Sequence, residues 1–478
     1  MARKTITLDN MNQNVKHMGY AISGPLLTRV MEIQKELKNG VAKPFVEVMR
    51  ADLDDHQSVG QEPLTFLRQV LTLCAYPSLM SSDEFPSDTK QRADTILKDC
   101  GGYSIGSYSY SVGVEVIRKH VAEYIQRRDG VFSDYENVIL FSGASEAIRA
   151  VLNVLNYPKN GKPSGILIPV PQYPLYSSTL QEYGMYEIKY FLDEENGWGI
   201  NIMEIKSLLD EARKCCHPRA IVIINPGNPT GSVFSENTMK EIIKFAYDEK
   251  LFIMADEVYQ DSTYFEDSKF LSFKKVISEM NHPYNKIELV SFMSASKGYM
   301  GECGLRGGYC EIVNVLPTVM EVLVKSISAK LCPSVMGQAA IDCVVNAPQP
   351  GEPSFDVFNK EKNEVLFSLK QNAEYLFNEL NKFNIICTKV LGAIYAFPRL
   401  ILPQKFIEKA QAKGMSPDYY YALQLLETTG VCVMPGCIFG QKPNTYHFRI
   451  SLASPINKLK KIVNSILEFQ EKLLDEHN

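Results

Sequence analysis

No stretch of this chain approaches the ~20 consecutive apolar residues that a membrane-spanning helix needs. A membrane protein of the helical kind is therefore not expected. The opening MARKTITLDNMNQNVKHMGY has no continuous apolar core of a secretory leader, and its Asp9 and weak amphipathicity speak against organelle targeting. The final LDEHN matches no lipidation or retention signal. No CxxC pair and no HExxH motif occur, and the 7 histidines are dispersed, so no metal site is expected. The 11 cysteines are odd in number and scattered, and Cys215 and Cys216 are adjacent, which suits neither an ordinary disulfide nor a tetrahedral metal. Reduced thiols in a cytoplasmic compartment follow from that usage.

Two further absences narrow the function. Excess positive charge is missing: 50 Lys and Arg face 55 Asp and Glu, a net of -5. Such a chain carries no electrostatic footprint for nucleic acid or an acidic membrane. Its densest basic run near the end, KLKK at 458–461, falls on a helical pattern and reads as a solvated face. A GxGxxG turn is also missing, which removes the usual dinucleotide-binding oxidoreductase. No internal repeat or low-complexity tract appears.

What is present is an ordinary soluble composition, 45% hydrophobic and 22% charged, in 478 residues. That length allows two or three domains with ample core. Residues 25–38 have apolar positions at helical spacing, with Gly40 as a stop. The segment 51–63 breaks periodicity and reads as a loop, and a helix is predicted over 64–75. The centre alternates short apolar runs with helical stretches. The runs are NVILF (137–141), GILIPV (165–170), AIVIIN (220–225), LFIMAD (251–256) and IELVSFM (287–293). The clearest helices are 145–156 and 236–250. This alternation predicts an α/β architecture with a mostly parallel sheet covered on both faces. After the proline-rich NAPQPGEPS (346–354), a long helix over 355–383, strand-like pieces at 393–400 and 431–436 and a final helix over 456–474 predict a smaller α+β domain.

Ligands of open parallel sheets sit beyond the carboxyl ends of the strands. Each apolar run here ends in an unusual loop: SGASEAI, PQYPLY, PGNPTG, DEVY and SASKG. In the first, Gly143, Ala144 and Ser145 stand where strand becomes helix. Either the free N–H groups there hold an anion, or Ser142 or Ser145 simply caps the helix. Asp256 follows an apolar strand and needs a donor; it caps a helix or holds a protonated ring nitrogen. Tyr259 follows three residues on. Lys297 either reaches solvent or is desolvated for Schiff-base chemistry with an aldehyde. Arg306, nine residues later, and the hydroxyls of Ser294 and Ser296 suit a phosphate.

NPGNPTG (225–231), ADEVY (255–259), SASKGYMGECGLRGG (294–308) and YHFRIS (446–451) resemble the loops of fold type I pyridoxal-phosphate aminotransferases. Segments 60–77, 391–399, 419–436 and 439–449 resemble the alanine aminotransferase branch of that family. The similarity runs from about residue 18 to the C-terminus. It implies a large domain with a mostly parallel seven-stranded sheet over 86–345 and a small C-terminal domain over 346–478, with 1–85 as an N-terminal arm and part of the small domain.

The resemblance also implies roles. Lys297 is the Schiff-base lysine of pyridoxal 5′-phosphate, Asp256 the partner of the pyridine nitrogen, and Tyr173 the stacking aromatic. Asn228 and Tyr259 donate to the ring hydroxyl oxygen. Gly143, Ala144, Ser145, Ser294, Arg306 and Ser296 form the phosphate cup. Tyr108 reaches the phosphate of a neighbouring subunit, so a homodimer with shared active sites is implied. Arg449, with Asn228, binds the substrate α-carboxylate. The implied activity is ping-pong amino transfer between small amino acids and 2-oxo acids, L-alanine with 2-oxoglutarate first and glutamate with glyoxylate as the alternative. A non-catalytic regulatory relative is the other class, but the lysine, aspartate and arginine are all present and no helix-turn-helix extension precedes residue 60.

Two places depart from the branch. Where it reads like NIGDPQAMGQ, this chain has DLDDHQSVGQ, with Asp54 for a glycine and His56 for a proline. That glycine lies near the substrate carboxylate, so Asp54 is expected to repel it or compete for Arg449. Where the branch reads AVRGP, this chain has Ser23 for the arginine.

Overall fold

A computed structural model describes residues 4–19 and 24–477. Ser23 lies outside the described residues. Seven strands form the main sheet: β1 (Val138–Phe141), β2 (Ser164–Val170), β3 (Tyr186–Phe191), β4 (His217–Ile224), β5 (Phe252–Asp256), β6 (Leu289–Ser294) and β7 (Gly308–Val313). Their spatial order is β1-β7-β6-β5-β4-β2-β3. Strand β7 runs antiparallel between β1 and β6, and the other pairings are parallel.

Side chains alternate across the sheet, so each apolar run feeds two cores. Ile166, Ile168, Val222 and Met254 pack toward the helices Ala144–Leu155 and Leu175–Glu182. Leu167, Ile221, Ile223 and Ile253 face the other way, toward Ile202–Ala212 and Glu236–Asp248. Burial on both faces is why β1, β2 and β6 read as unbroken hydrophobic runs.

Two strands did not stand out as apolar runs. Strand β3 is an edge strand that buries only alternate residues, so Glu187 and Lys189 interrupt it. Strand β7 opens on a glycine and carries Glu311, which is 2% exposed. Lys274 from the helix Phe273–Glu279 and Ser133 compensate that carboxylate.

The C-terminal part forms its own layer. Strand Tyr446–Ser451 pairs antiparallel with Tyr395–Ala396, Arg399–Leu400 and Met434–Pro435. Helices Phe355–Leu380, Pro417–Thr429 and Ile456–His477 cover it. The N-terminal helix Pro25–Lys38 buries Leu26, Val30 and Ile33 in the same core. Met49 and Arg50 then pair with Val431 and Cys432. The next helix, Thr65–Ala75, instead packs with Ala93, Ile117 and Ile341 against the main sheet. Residues 51–64 therefore cross from one body to the other, past the ends of β5 and β6. Among the described residues no helix is long and apolar enough to cross a membrane.

Candidate active site

A cavity of about 320 Å³ lies beyond the carboxyl ends of the strands, within the range of small-molecule pockets. Ala144, Ser145, Tyr173, Asn228, Asp256, Tyr259, Ser294, Ser296, Lys297 and Arg306 all line it. Loops as far apart as those of Ala144 and Arg306 thus converge, as the strand-end argument requires. Gly143 stands just behind the lining and Arg449 beside it. Tyr108 is elsewhere: it is 77% exposed and does not line this cavity.

One end of the cavity is built for an anion. Gly143 adopts φ 85°, a backbone that only glycine takes readily, and the helix Ala144–Leu155 starts immediately after it. No side chain caps that helix; the N–H of Ser142 instead donates to Glu146 at 3.0 Å. The capping alternative is thereby removed, and the first helical N–H groups and the helix dipole face the cavity end. Arg306 crosses above, its Nη2 donating to the Ser142 carbonyl at 3.2 Å and its Nη1 to the Cys303 carbonyl at 3.1 Å. A side chain at Gly143 would run into this guanidinium. A side chain at Gly308, on β7, would come within 2.7 Å of the Gly143 backbone. Ser294 and Ser296 complete the wall, with their hydroxyls 3.1 Å apart.

The middle of the cavity presents a carboxylate. Asp256 ends β5 and is 3% exposed. Burial pushes its carboxyl up to about 6, against the hydrogen bonds from Tyr176 and the Val258 N–H. Oδ2 accepts from the Tyr176 hydroxyl at 2.9 Å, and Oδ1 has no partner. A buried carboxylate oxygen without a donor is costly, and a cationic ring nitrogen is the kind of donor that would satisfy it. Tyr173 lies half-buried on the wall, its phenol pushed up to about 12 by burial and the charges of Asp54 and Asp256. Asn228 Nδ2 donates to the Tyr259 hydroxyl at 3.4 Å, and Tyr259 donates to the Tyr395 hydroxyl at 3.0 Å.

Lys297 follows β6 by three residues and does not run to solvent: its side chain is 16% exposed. Its Nζ donates to the Asp54 carbonyl at 2.9 Å and pairs with Asp54 Oδ2 at 3.0 Å. The Tyr395 hydroxyl donates to the same Oδ2 at 3.1 Å. Burial pushes the Asp54 carboxyl up, but the charges of Lys297 and Arg449 and the bonds from Lys297 and Tyr395 outweigh it and hold the group far below the usual carboxylate range. Arg449, 6% exposed on strand Tyr446–Ser451, donates to Asn228 Oδ1 at 3.3 Å and to the Asp52 carbonyl at 3.2 Å. Its guanidinium lies over Tyr395, 4.1 Å from the ring centre, and beside Phe439. His56 does not line the cavity. It is bonded to Gln61 at 2.7 Å, and burial, with the Lys297 charge, pushes it down to about 4.

Asp55, Cys303, Tyr176 and Tyr395 belong to the site without having stood out in the sequence. Asp55 and Cys303 line the cavity. Tyr176 lies three residues after Tyr173, on the helix Leu175–Glu182, and reaches the site through its bond to Asp256. Tyr395 had no local signal, because its hydroxyl meets Tyr259 across the two bodies.

The profile of the aminotransferase class I and II family matches residues 75–466. Over 480 residues the chain is 49% identical to alanine aminotransferase 1 of Homo sapiens, covering 99% of this chain and 96% of that protein. Over 478 residues it is 48% identical to alanine aminotransferase 2 of Xenopus laevis, covering 99% and 88%. In fold it is similar to the solved alanine aminotransferase of Pyrococcus furiosus, with a TM-score of 0.74 at 23% identity, covering 97% of this chain and 100% of that one. The match spans the lysine, the carboxylate and the anion end of the cavity alike, and with it the chain belongs to the aminotransferase class I and II family.

Proposed function

We propose that this aminotransferase exchanges the amino group between L-alanine and 2-oxoglutarate, giving pyruvate and L-glutamate reversibly, with pyridoxal 5′-phosphate as its cofactor. The observation that carries the reading is the near full-length likeness, at 48–49% identity, to proteins named alanine aminotransferase. The unpartnered Oδ1 of Asp256 and the uncapped helix beside Arg306 fit the ring nitrogen and the phosphate of that cofactor. When bound, the cofactor supplies an aldehyde that takes the amino group and a protonated ring that withdraws electrons from the substrate α-carbon.

The chain's own residues do the rest. Asp256 accepts a proton-bearing nitrogen at Oδ1. Arg306, Ser294, Ser296 and the N–H groups of Ala144 and Ser145 hold the phosphate, with Gly143 leaving room for the arginine. Tyr173 would cover a face of the ring, and Asn228 and Tyr259 would offer donors to its oxygen. Lys297 would hold the aldehyde of the cofactor and, with its nitrogen free, would serve as the base that takes the α-proton and returns it. Arg449 orients the α-carboxylate so that the reacting bond is aligned.

Tyr108 is exposed on its own protomer, which supports a homodimer in which it reaches the partner's phosphate end. Eleven free cysteines support the cytoplasm as the compartment. Asp54 adds a negative charge to the cavity; the second reading keeps the chemistry and changes the pair, for example to glutamate and glyoxylate.

The test is a panel of amino donors against 2-oxo acids with the cofactor-loaded enzyme. Pyruvate formation from alanine and 2-oxoglutarate is the expected leading activity. Lys297→Ala is expected to lose turnover by at least about a thousandfold and to lose the visible band of the bound cofactor. No turnover of alanine with 2-oxoglutarate, alongside turnover of another pair, would replace the substrate assignment.

A further inference from the structure

The loop crossing between the two bodies carries an anion into the cavity. Asp54 meets the Lys297 nitrogen twice, through its carbonyl and its carboxylate. The loop holding it is fixed to the segment after Lys297: Gln57 Nε2 donates to the Gly301 carbonyl at 3.1 Å and Gln61 Nε2 to the Tyr299 carbonyl at 3.1 Å. Tyr395, which holds the Asp54 carboxylate, is the ring under the Arg449 guanidinium. Asp54 therefore sits between two cations that meet opposite ends of a substrate. The substrate nitrogen arrives at the place the Lys297 nitrogen occupies, and its carboxylate arrives at Arg449.

We propose that Asp54 is a specificity-determining residue that favours the amino acid over the 2-oxo acid, because it attracts the ammonium group that only the amino acid carries and repels the carboxylate that both carry. The inference rests on the reading of Lys297 and Arg449 given above.

The remaining charges do not duplicate this role. Asp256 lies across the cavity and is engaged by Tyr176. Arg306 serves the anion end through Ser142 and Cys303. Asp55 lines the cavity from the same loop as Asp54, but no ion pair joins it to Lys297 among the described residues. The carboxyl of Asp54 stays ionised through the neutral range, since Lys297, Arg449 and Tyr395 hold it down. In a cavity of about 320 Å³ any bound substrate lies within a Debye length of that charge. The Asp54 side chain is 35% exposed, so water screens part of its field. A roughly tenfold effect on a ligand that carries the carboxylate alone is the scale to expect from one charge in such a place. Dicarboxylic 2-oxo acids bring two anionic groups and are penalised more than monocarboxylic ones.

The experiment uses the full-length enzyme loaded with pyridoxal phosphate and two ligands that bind without turning over. Propionate has the carboxylate alone. 2-Methylalanine has carboxylate and ammonium but no α-proton to lose. Their dissociation constants are read from the absorbance of the bound cofactor in wild type, Asp54→Asn, Asp54→Gly, Asp54→Glu and Arg449→Lys. In Asp54→Asn and Asp54→Gly, propionate is expected to bind about tenfold tighter and 2-methylalanine no tighter, so their ratio moves by about tenfold or more. Asp54→Glu is expected to keep the wild-type ratio. A gain of affinity for one ligand is not what a damaged fold produces. An unmoved ratio in both neutral variants, with propionate weakened by Arg449→Lys, overturns the inference and spares the reading of Arg449. Propionate binding untouched by Arg449→Lys overturns both.

Discussion

Tyr176 donates to Asp256 Oδ2 at 2.9 Å while Asp256 Oδ1 stays without a partner. One oxygen of the carboxylate is fixed by the protein and the other is left to the cavity. Tyr176 is itself fully buried on the helix Leu175–Glu182, so the carboxylate is aimed by a side chain that has little freedom of its own.

Tyr176→Phe removes the side-chain donor to Oδ2. The carboxyl is expected to rise further above its ordinary value, since the Tyr176 bond is what opposes burial most. A hydrogen bond to a charged acceptor contributes ~1.5–3 kcal/mol. Cofactor affinity should therefore fall about tenfold or more, measured by titrating cofactor-free protein with pyridoxal phosphate. Unchanged affinity would show that Tyr176 does not position Asp256.

Asp256 also makes the stability of the cofactor-free protein depend on pH. Its carboxyl lies at about 6 when folded against an ordinary 3.8. Below 3.8 both states are protonated and the group costs nothing. As pH rises through about 6, the folded state must bury a charge that the unfolded state keeps in water, so stability is lost with rising pH. The difference amounts to roughly 3 kcal/mol. Glu257, pushed up to about 7 by burial, extends the same fall. Urea midpoints of wild type and Asp256→Asn across this window should diverge progressively, the variant losing less. Parallel curves would mean that Asp256 ionises without cost.

Arg449→Lys keeps the charge and loses the planar fork. The guanidinium lies over Tyr395 and beside Phe439, and its two ends face Asn228 and Asp52. A lysine ammonium cannot stack in that way or grip a carboxylate with two N–H groups. KM for alanine should rise by about two orders of magnitude with a smaller loss in kcat. Steady-state kinetics against alanine decide it; a loss confined to kcat would move Arg449 from substrate binding to another role.

Lys274→Met tests the buried pair under β7. Glu311 is 2% exposed and is held by Lys274 and Ser133. Removing the lysine alone leaves a buried carboxylate short of its countercharge, at a cost of about 3–5 kcal/mol. Replacing both, as Lys274→Met with Glu311→Leu, should recover most of that. Denaturant midpoints of the single and double variants give the coupling, and additive effects would contradict the pairing.

Legibility in the sequence followed range along the chain. The runs that became β1, β2, β4, β5 and β6 announced themselves because strands buried on both faces are apolar along their length. Strand β3 escaped because one of its faces is exposed and carries Glu187 and Lys189 among its residues, and β7 because Glu311 breaks its pattern with a charge whose partner, Lys274, lies 37 residues away. The strand-end loops were legible for a related reason: glycines, prolines and polar residues stand out where an apolar strand stops.

The chain's local order thus determined the elements, the strand-to-helix turn at Gly143 and the placing of Lys297, Asp256 and Arg306 on neighbouring strand ends. Propensity, periodicity and backbone freedom act over a few residues, and a sequence displays them directly. Which groups those residues meet was decided by the packing of the two bodies. Asp54 reaches Lys297 from 243 residues away, and Tyr395 reaches Tyr259 from 136 residues away. Contacts of that range depend on how whole cores dock, so the partner of the lysine is a property of the folded molecule and not of either loop alone.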